Sequence, residues 1–336
     1  MLIWRMGSLL NPRQIRHVGR VLETVEADAD SARSVIAASW TRSYRLHNLS
    51  PEDVQQEHRC DASELAFRCD KAGRLLKVAL PTIDRLFLTL KLAGCSVVLC
   101  DAEGVVLHDR RRDGDAKEFE KAGLNVGADW SEKARGTNGI GTCIAEKRRA
   151  VILKDQHYHA RNIGMSCFGA PVFDSRGETQ AVLDVSTCRD SLDPAIRALI
   201  EQAVLDAAAQ IEADHFCDQY SDLRIIQASH GGARSPSLLA VDAYDLVVGA
   251  TRSARRRYGL PLDADFNPTP AADLLGDTES RGVGFESAER RELKRALARA
   301  GGNMSAAARA LGVSRATLYR RASKAGLSPD SYKSDD

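Results

Sequence analysis

Over residues 12–90 the apolar positions recur at helical spacing. Ile15, Val18, Leu22 and Val25 form one stripe, Val35, Ile36 and Trp40 a second, and Leu65 to Leu90 a third. Ser31 is placed to cap the second helix. Ser50-Pro51 has the form of another helix start, a capping side chain before a proline at the first helical position. Pro81 should kink or divide the third stripe, because proline removes a helix hydrogen bond and crowds the preceding turn.

The pattern changes at Gly94. Ser96 to Cys100 is a short apolar run, Asp101-Ala102-Glu103-Gly104 is a turn, and Val105 to His108 is a second run. Ala150 to Lys154, Gly169 to Phe173 and Gln180 to Ser186 read as further strands, the last two joined by Asp174-Ser175-Arg176-Gly177. This is strand and turn punctuation. From Pro194 to His215 helical spacing returns through Ile196, Leu199, Ile200, Val204 and Ile211. Helices before and after an antiparallel sheet predict an α+β domain. Gln227 to Ser237 reads as a linker, Leu238 to Asp242 and Leu246 to Val248 as two strands, and Ala250 to Tyr258 as a helix. Residues 261–284 form a second linker.

Composition adds limits. The 336 residues suggest two or three domains at roughly 100–200 residues each. With 43% hydrophobic and 28% charged residues, bulk disorder is excluded. The net charge of +1 hides an asymmetry. Glu289 to Leu327 holds ten Lys/Arg against two acids, so the rest of the chain is acidic. A basic tail on an acidic body predicts a polyanion partner for the tail. None of the eight cysteines forms a C-x-x-C pair, the opening residues Leu2, Ile3, Trp4, Leu9 and Leu10 are too interrupted for a secretory signal, and no run spans a bilayer. A cytoplasmic chain with reduced thiols is expected.

The tail carries the sharpest signal. Ser287 can cap a helix bearing Leu293, Leu297 and Ala300, and Gly301-Gly302 ends it. Asn303 can cap the next helix, with small Ala307, Ala308 and Ala310 for close packing, and Gly312 makes a turn. Ser314 caps a third helix to about Ala325. Two helices crossing over a short glycine turn make a helix-turn-helix, whose small core is expected from Leu311, Val313, Leu318 and Ala322. The remaining face presents Arg315, Thr317, Tyr319, Arg320 and Arg321 to double-stranded DNA. Arg315, at the helix start, is placed for base edges; Ser314, Arg321 and Lys324 suit phosphates.

This stretch, from Gly302-Asn303-Met304-Ser305 through Leu311-Gly312-Val313-Ser314-Arg315 to Thr317-Leu318-Tyr319-Arg320, resembles the Fis-type helix-turn-helix of bacterial enhancer-binding activators. The resemblance implies that the preceding helix pairs two protomers, making Leu293 and Leu297 dimer-interface candidates. From Ile36 to about Asp222 the chain resembles the N-terminal part of acetoin-catabolism-regulator-type activators. The carrying residues are Ser39-Trp40-Thr41-Arg42, Gly127 to Glu132, Gly136 to Thr142, Asp155-Gln156-His157, Arg161-Asn162, Ser166-Cys167, Ala170 to Asp174 and Leu183 to Ser186. That resemblance implies a GAF domain sensing a small molecule or partner beside its sheet. Residues 236–276 resemble the opening of a PAS-like domain. The expected layout is a helical extension (1–74), a GAF sensor (75–220), a linker (221–235), a PAS-like segment, complete or partial (236–280), and a Fis-type module (286–328).

The sensor half leaves its chemistry open. Gly136-Thr137-Asn138-Gly139-Ile140-Gly141 lacks the Lys-Ser/Thr of a phosphate loop; it is a tight helix start or an anion site. Trp130, Asn138, Cys143, His157 and Cys167 are the ligand-binding candidates. His157 and His159 with Cys143 and Cys167 match no compact zinc spacing, so no metal or cofactor is expected. Cys143 and Cys167 read equally as small core residues.

No G-x-x-x-x-G-K-[ST] run exists, although relatives of this type carry a central ATPase. The expectation is therefore a non-enzymatic, effector-responsive DNA-binding regulator, a homodimer unable to drive ATP-dependent activation. The alternative is a truncated modulator pairing with an ATPase-bearing activator.

Overall fold

In the computed structural model the N-terminal stripes fold as helices whose ends are set by capping side chains. Residues 10–27, 34–53, 59–228, 235–262, 264–276 and 284–327 are described. The opening residues through Leu9 and the cap expected at Ser31 lie outside them. Helix α1 (Pro12–Ala27) buries Val18, Val21 and Val25. Helix α2 (Val35–Thr41) begins at Ser34, whose side chain accepts from Ala37 N, and runs into a π-helical turn over Arg42–Leu46. Ser50-Pro51 starts a turn, with Asp53 N donating to Ser50 O; residues 54–58 lie outside the described set. Helix α3 (Ala62–Leu90), capped by Asp61, passes through Pro81 undivided. Pro81 itself is exposed while Ala79, Ile83 and Leu86 on either side of it are buried, and that packing outweighs the lost hydrogen bond. The boundary expected at 74/75 falls inside this one helix.

Strands β1 (Cys95–Asp101) and β2 (Val106–Arg110) are followed by helices α4 (Ala116–Ala122), α5 (Glu132–Arg135) and α6 (Gly139–Glu146), then by β3 (Ala150–Leu153), β4 (Ser166–Phe173), β5 (Thr179–Thr187) and helix α7 (Pro194–Gln219). The five strands lie in the order β2-β1-β5-β4-β3, with the pairs β1–β2, β1–β5, β4–β5 and β3–β4 antiparallel. Side chains alternate between the faces. Val97, Leu99, Phe168, Ala170, Leu183 and Val185 share one apolar cluster with Leu75, Ile83, Val204 and Ile211 of α3 and α7. Val98, Cys100, Cys167 and Val182 pack on the other face with Phe119, Trp130, Ile140 and Cys143. The N-terminal helices join this body through a cluster of Val21, Val25, Trp40, Leu49 and Tyr158.

The expected linker at 221–235 contains a strand, β6 (Arg224–Ala228), paired with β7 (Ser237–Val241), which pairs with β8 (Leu246–Ala250). Helix α8 (Arg252–Tyr258) follows, capped by Thr251, and the two-residue β9 (Thr269–Pro270) ends the order β6-β7-β8-β9. This small sheet is tied to the large one. Arg255 Nε donates to Ser175 O at 2.8 Å, and Arg252, stacked 4.3 Å from the Phe173 ring, donates to Gly177 O. Both arginines thus hold the β4–β5 turn, and the first compact unit runs on to Thr269.

The second unit holds helices α9 (Ala271–Leu275), α10 (Phe285–Arg299), α11 (Met304–Ala310) and α12 (Arg315–Lys324). Gly284, not Ser287, is the N-cap of α10. Asn303 caps α11 by accepting from Ser305 N and Ala306 N, and Ser314 caps α12 by accepting from Thr317 N. Gly312, at φ 62°, takes the left-handed turn between them. No helix among the described residues is long and apolar enough to cross a membrane.

Candidate functional site

The three helices α10 to α12 share a core of Leu293, Ala296, Leu297, Met304, Ala307, Ala308, Leu318 and Ala322. Leu293 and Leu297 are 3% and 0% exposed within a single chain. The expectation that they form a dimer seam is therefore corrected, because their surface is consumed by the module's own packing. Leu318 and Ala322 turn inward as expected, while Leu311 and Val313 border the core partly buried.

The exposed residues of α12 include Arg315, Tyr319, Arg320, Arg321 and Lys324, whereas Thr317 is half-buried. Arg315 stands 5.5 Å from the Tyr319 ring centroid. The Thr317 and Ser314 hydroxyls lie 2.8 Å apart, and Ser314 Oγ is also the cap acceptor. Of the three residues assigned to phosphates, the two cations are engaged by acidic partners. Arg321 pairs with Glu289 at 3.2 Å and Lys324 with Glu286 at 2.8 Å. Hydrogen bonding between Lys324 and Glu286 raises the amine and lowers the carboxyl. Among the described residues, Arg315 and Arg320 form no such ion pair with α10.

In the sensor domain all five ligand candidates are core groups rather than the lining of an open pocket. Trp130 is fully buried, donates from Nε1 to Gly123 O at 3.0 Å and lies under the Arg135 guanidinium at 5.5 Å. Asn138 makes four hydrogen bonds: Nδ2 donates to Trp130 O and Gly136 O, and Oδ1 accepts from Ile140 N and Gly141 N. Its amide is saturated as the cap of α6, so the glycine-rich run is a helix start here. The run packs closely. A Cβ on Gly139 would come within 2.5 Å of Asp184 Oδ1 and Cys167 Cβ. Cys143 is buried in the same cluster as Trp130 and Cys167, and burial raises its thiol.

His157 and Cys167 do meet, 3.3 Å apart, in a chain that sequence reading did not find. His157 Nδ1 faces Lys154 O at 2.9 Å, so it carries the proton and Nε2 accepts from the Cys167 thiol. Ser186 Oγ lies 3.1 Å from Cys167 Sγ and 2.6 Å from Asp184 Oδ2. One hydroxyl has one proton. Every link has a donor only when Asp184 is protonated: its OH donates to Ser186, Ser186 to Cys167, and Cys167 to His157. Burial favours that state, pushing Asp184 up to about 7 and His157 down to about 4. The signal for Asp184 was a charged residue inside the apolar run Val182 to Val185. Among the described residues no group of three or more His, Cys, Asp or Glu side chains could hold a metal ion.

Other resemblance residues are clamps. Arg42 makes a bidentate pair with Glu132, which is 6% exposed, and reaches Glu146 at 2.9 Å. Ser39 Oγ lies 2.6 Å from Thr137 Oγ1. These bonds lock the end of α2 onto α5 and the start of α6.

Comparison with known proteins agrees with this division. The profile of the MimR N-terminal domain matches residues 13–213, and that of bacterial regulatory proteins of the Fis family matches residues 284–324. The acetoin catabolism regulatory protein of Cupriavidus necator is 27% identical over 276 residues, covering 79% of this chain and 41% of that protein. The propane 2-monooxygenase operon transcriptional activator MimR of Mycolicibacterium smegmatis is 32% identical over 189 residues, covering 54% of this chain and 30% of that protein. The chain thus spans about two fifths or less of the length of these relatives. Among solved structures, the E. coli DhaR(N)-DhaL complex matches with a TM-score of 0.50 at 15% identity, covering 69% of this chain and 78% of that chain. That likeness shows the fold: helices and an antiparallel sheet, as expected for a GAF-like domain.

Proposed function

Since the chain belongs to the family defined by the MimR N-terminal domain, we propose that it is a sequence-specific DNA-binding regulator whose promoter contacts respond to a small-molecule effector. A transcription regulator with a Fis-type helix-turn-helix and a GAF-like sensing domain is the coarse identity. The finer reading rests on one observation. Helix α12 buries Leu318 and Ala322 while exposing Arg315 and Arg320 on a helix whose start is capped by Ser314. That is the arrangement a reading helix needs to place arginine at guanine edges.

Residues 214–283 separate the two family matches, and they hold no phosphate-binding loop. The regulator accordingly works without an ATP-driven step of its own, through effector-dependent DNA affinity. The alternative of a modulator pairing through Leu293 and Leu297 loses its support, because both leucines are buried. Titration of DNA from upstream of the protein's own gene, at several salt concentrations, tests the reading. Tight binding with a salt-dependent, sequence-dependent component is expected. Affinity equal to that for random DNA overturns it.

A further inference from the structure

The outer side of α12 holds a pair of residues that the core of the module does not account for. Tyr319 is a large aromatic residue left 45% exposed, while its neighbours Leu318 and Ala322 fill the core. One turn earlier stands Arg315, whose guanidinium carbon lies over the Tyr319 ring, 5.5 Å from its centroid. Residues four apart share a helix face, and a helical side chain leans back over the turn that precedes it. The helix itself thus directs the ring toward Arg315. Ser314, capping α12 by accepting from Thr317 N, fixes the turn on which Arg315 stands.

Cations of α12 are held in two different ways. Glu289 holds Arg321 and Glu286 holds Lys324, and in each pair a carboxylate takes up N–H donors. Among the described residues Arg315 forms no ion pair. Its attraction to the Tyr319 ring acts through the π face and consumes no acceptor, so the guanidinium keeps its hydrogen-bonding capacity. Reading a guanine needs that capacity, because two N–H groups must donate at once to O6 and N7. A long side chain also loses rotamer freedom on binding, which costs affinity. A ring that already restrains Arg315 reduces that loss before the DNA arrives.

We propose that Tyr319 is a positioning residue for base recognition: its ring holds the Arg315 guanidinium at the start of α12 and leaves the N–H donors for a guanine. Tyr319 then acts on specificity through Arg315, not through a DNA contact of its own. This role rests on the DNA-reading function proposed above and adds to it a second specificity-determining side chain.

The test uses the full chain and the duplex that the wild type enriches most strongly from a pool of random sequence. Each guanine of that duplex is replaced in turn by 7-deazaguanine, which lacks the N7 acceptor. Affinities are measured for the wild type, Arg315→Ala, Tyr319→Phe, Tyr319→Leu and the double variant of Arg315→Ala with Tyr319→Leu. The guanine whose replacement matters to the wild type but not to Arg315→Ala is the one that Arg315 reads. At that guanine Tyr319→Phe, which keeps a ring, should discriminate as the wild type does. Tyr319→Leu should discriminate about two- to fivefold less, with its discrimination at other guanines and its salt dependence unchanged. In the Arg315→Ala background Tyr319→Leu should add nothing. Leucine is a good helix former and the position is exposed, so the melting temperature should hold; Tyr319→Gln repeats the loss without an added apolar side chain. Three results overturn the proposal: undiminished discrimination in both Tyr319→Leu and Tyr319→Gln; an equal loss in Tyr319→Phe, which makes the hydroxyl itself a DNA contact; or an equal weakening toward every sequence, which makes Tyr319 a contact to the backbone of the duplex. The DNA-reading function fails separately, and this role with it, when the pool yields no enriched sequence or no guanine depends on Arg315.

Discussion

Ser186 Oγ lies 2.6 Å from Asp184 Oδ2 on a strand face that solvent does not reach, with both residues fully buried. The pair sets a pH dependence. The folded pKa of Asp184, about 7, is raised above an unfolded value of about 3.9. Its stabilising contribution is then fully present below pH ~4 and is lost as pH rises through about 7. Asp184→Asn keeps a donor for Ser186 and cannot ionise. Its advantage over the wild type should grow between pH 5 and pH 8 to on the order of 2–4 kcal/mol. Urea unfolding at the two pH values checks this; an advantage that does not change with pH removes the protonated carboxyl.

The buried histidines have the opposite sign. His157 and His159 are both pushed down to about 4, mainly by burial. Their contribution is present above the unfolded value of about 6.5 and is lost as pH falls through 4. His159→Phe should therefore resist acid better than the wild type, with the difference opening below pH ~6. Unfolding curves at pH 7 and pH 4.5 measure it.

Gly139 and Gly312 are glycines for different reasons. Gly139 has Asp184 and Cys167 within 2.5 Å of a would-be Cβ, whereas Gly312 has open space but φ 62°. Gly139→Ala should cost about 1–3 kcal/mol or more by overpacking the sensor. Gly312→Ala should cost about 1–2 kcal/mol through left-handed strain and weaken only the DNA-binding unit. Hydrogen exchange resolved by unit separates the two.

On the DNA-binding unit, Arg315→Ala should relax base discrimination by about 1–3 kcal/mol. Glu286→Gln with Glu289→Gln frees Lys324 and Arg321 from their acidic partners. That double variant should bind all DNA more tightly and steepen the salt dependence by up to about two phosphate contacts. An unchanged salt slope would place both cations away from the backbone of the duplex.

The DNA-binding module was legible in the residues because what specifies it is local. Asn303 and Ser314 cap within three residues of themselves, and Gly312 and Gly326 take left-handed turns where helices stop. The strands and turns of the sensor were legible for the same reason, with Asp101 Oδ1 accepting from Glu103 N and Val105 N across its own turn. What only the tertiary structure decided are contacts between distant positions. Leu293 and Leu297 face either a partner or Met304 and Leu318, and helical periodicity is the same for both. Lys324 reads as a free cation until Glu286, thirty-eight residues earlier, closes on it. The chain from Asp184 to His157 joins two strands and the β3–β4 connection, and its protonation depends on burial that no stretch of sequence carries.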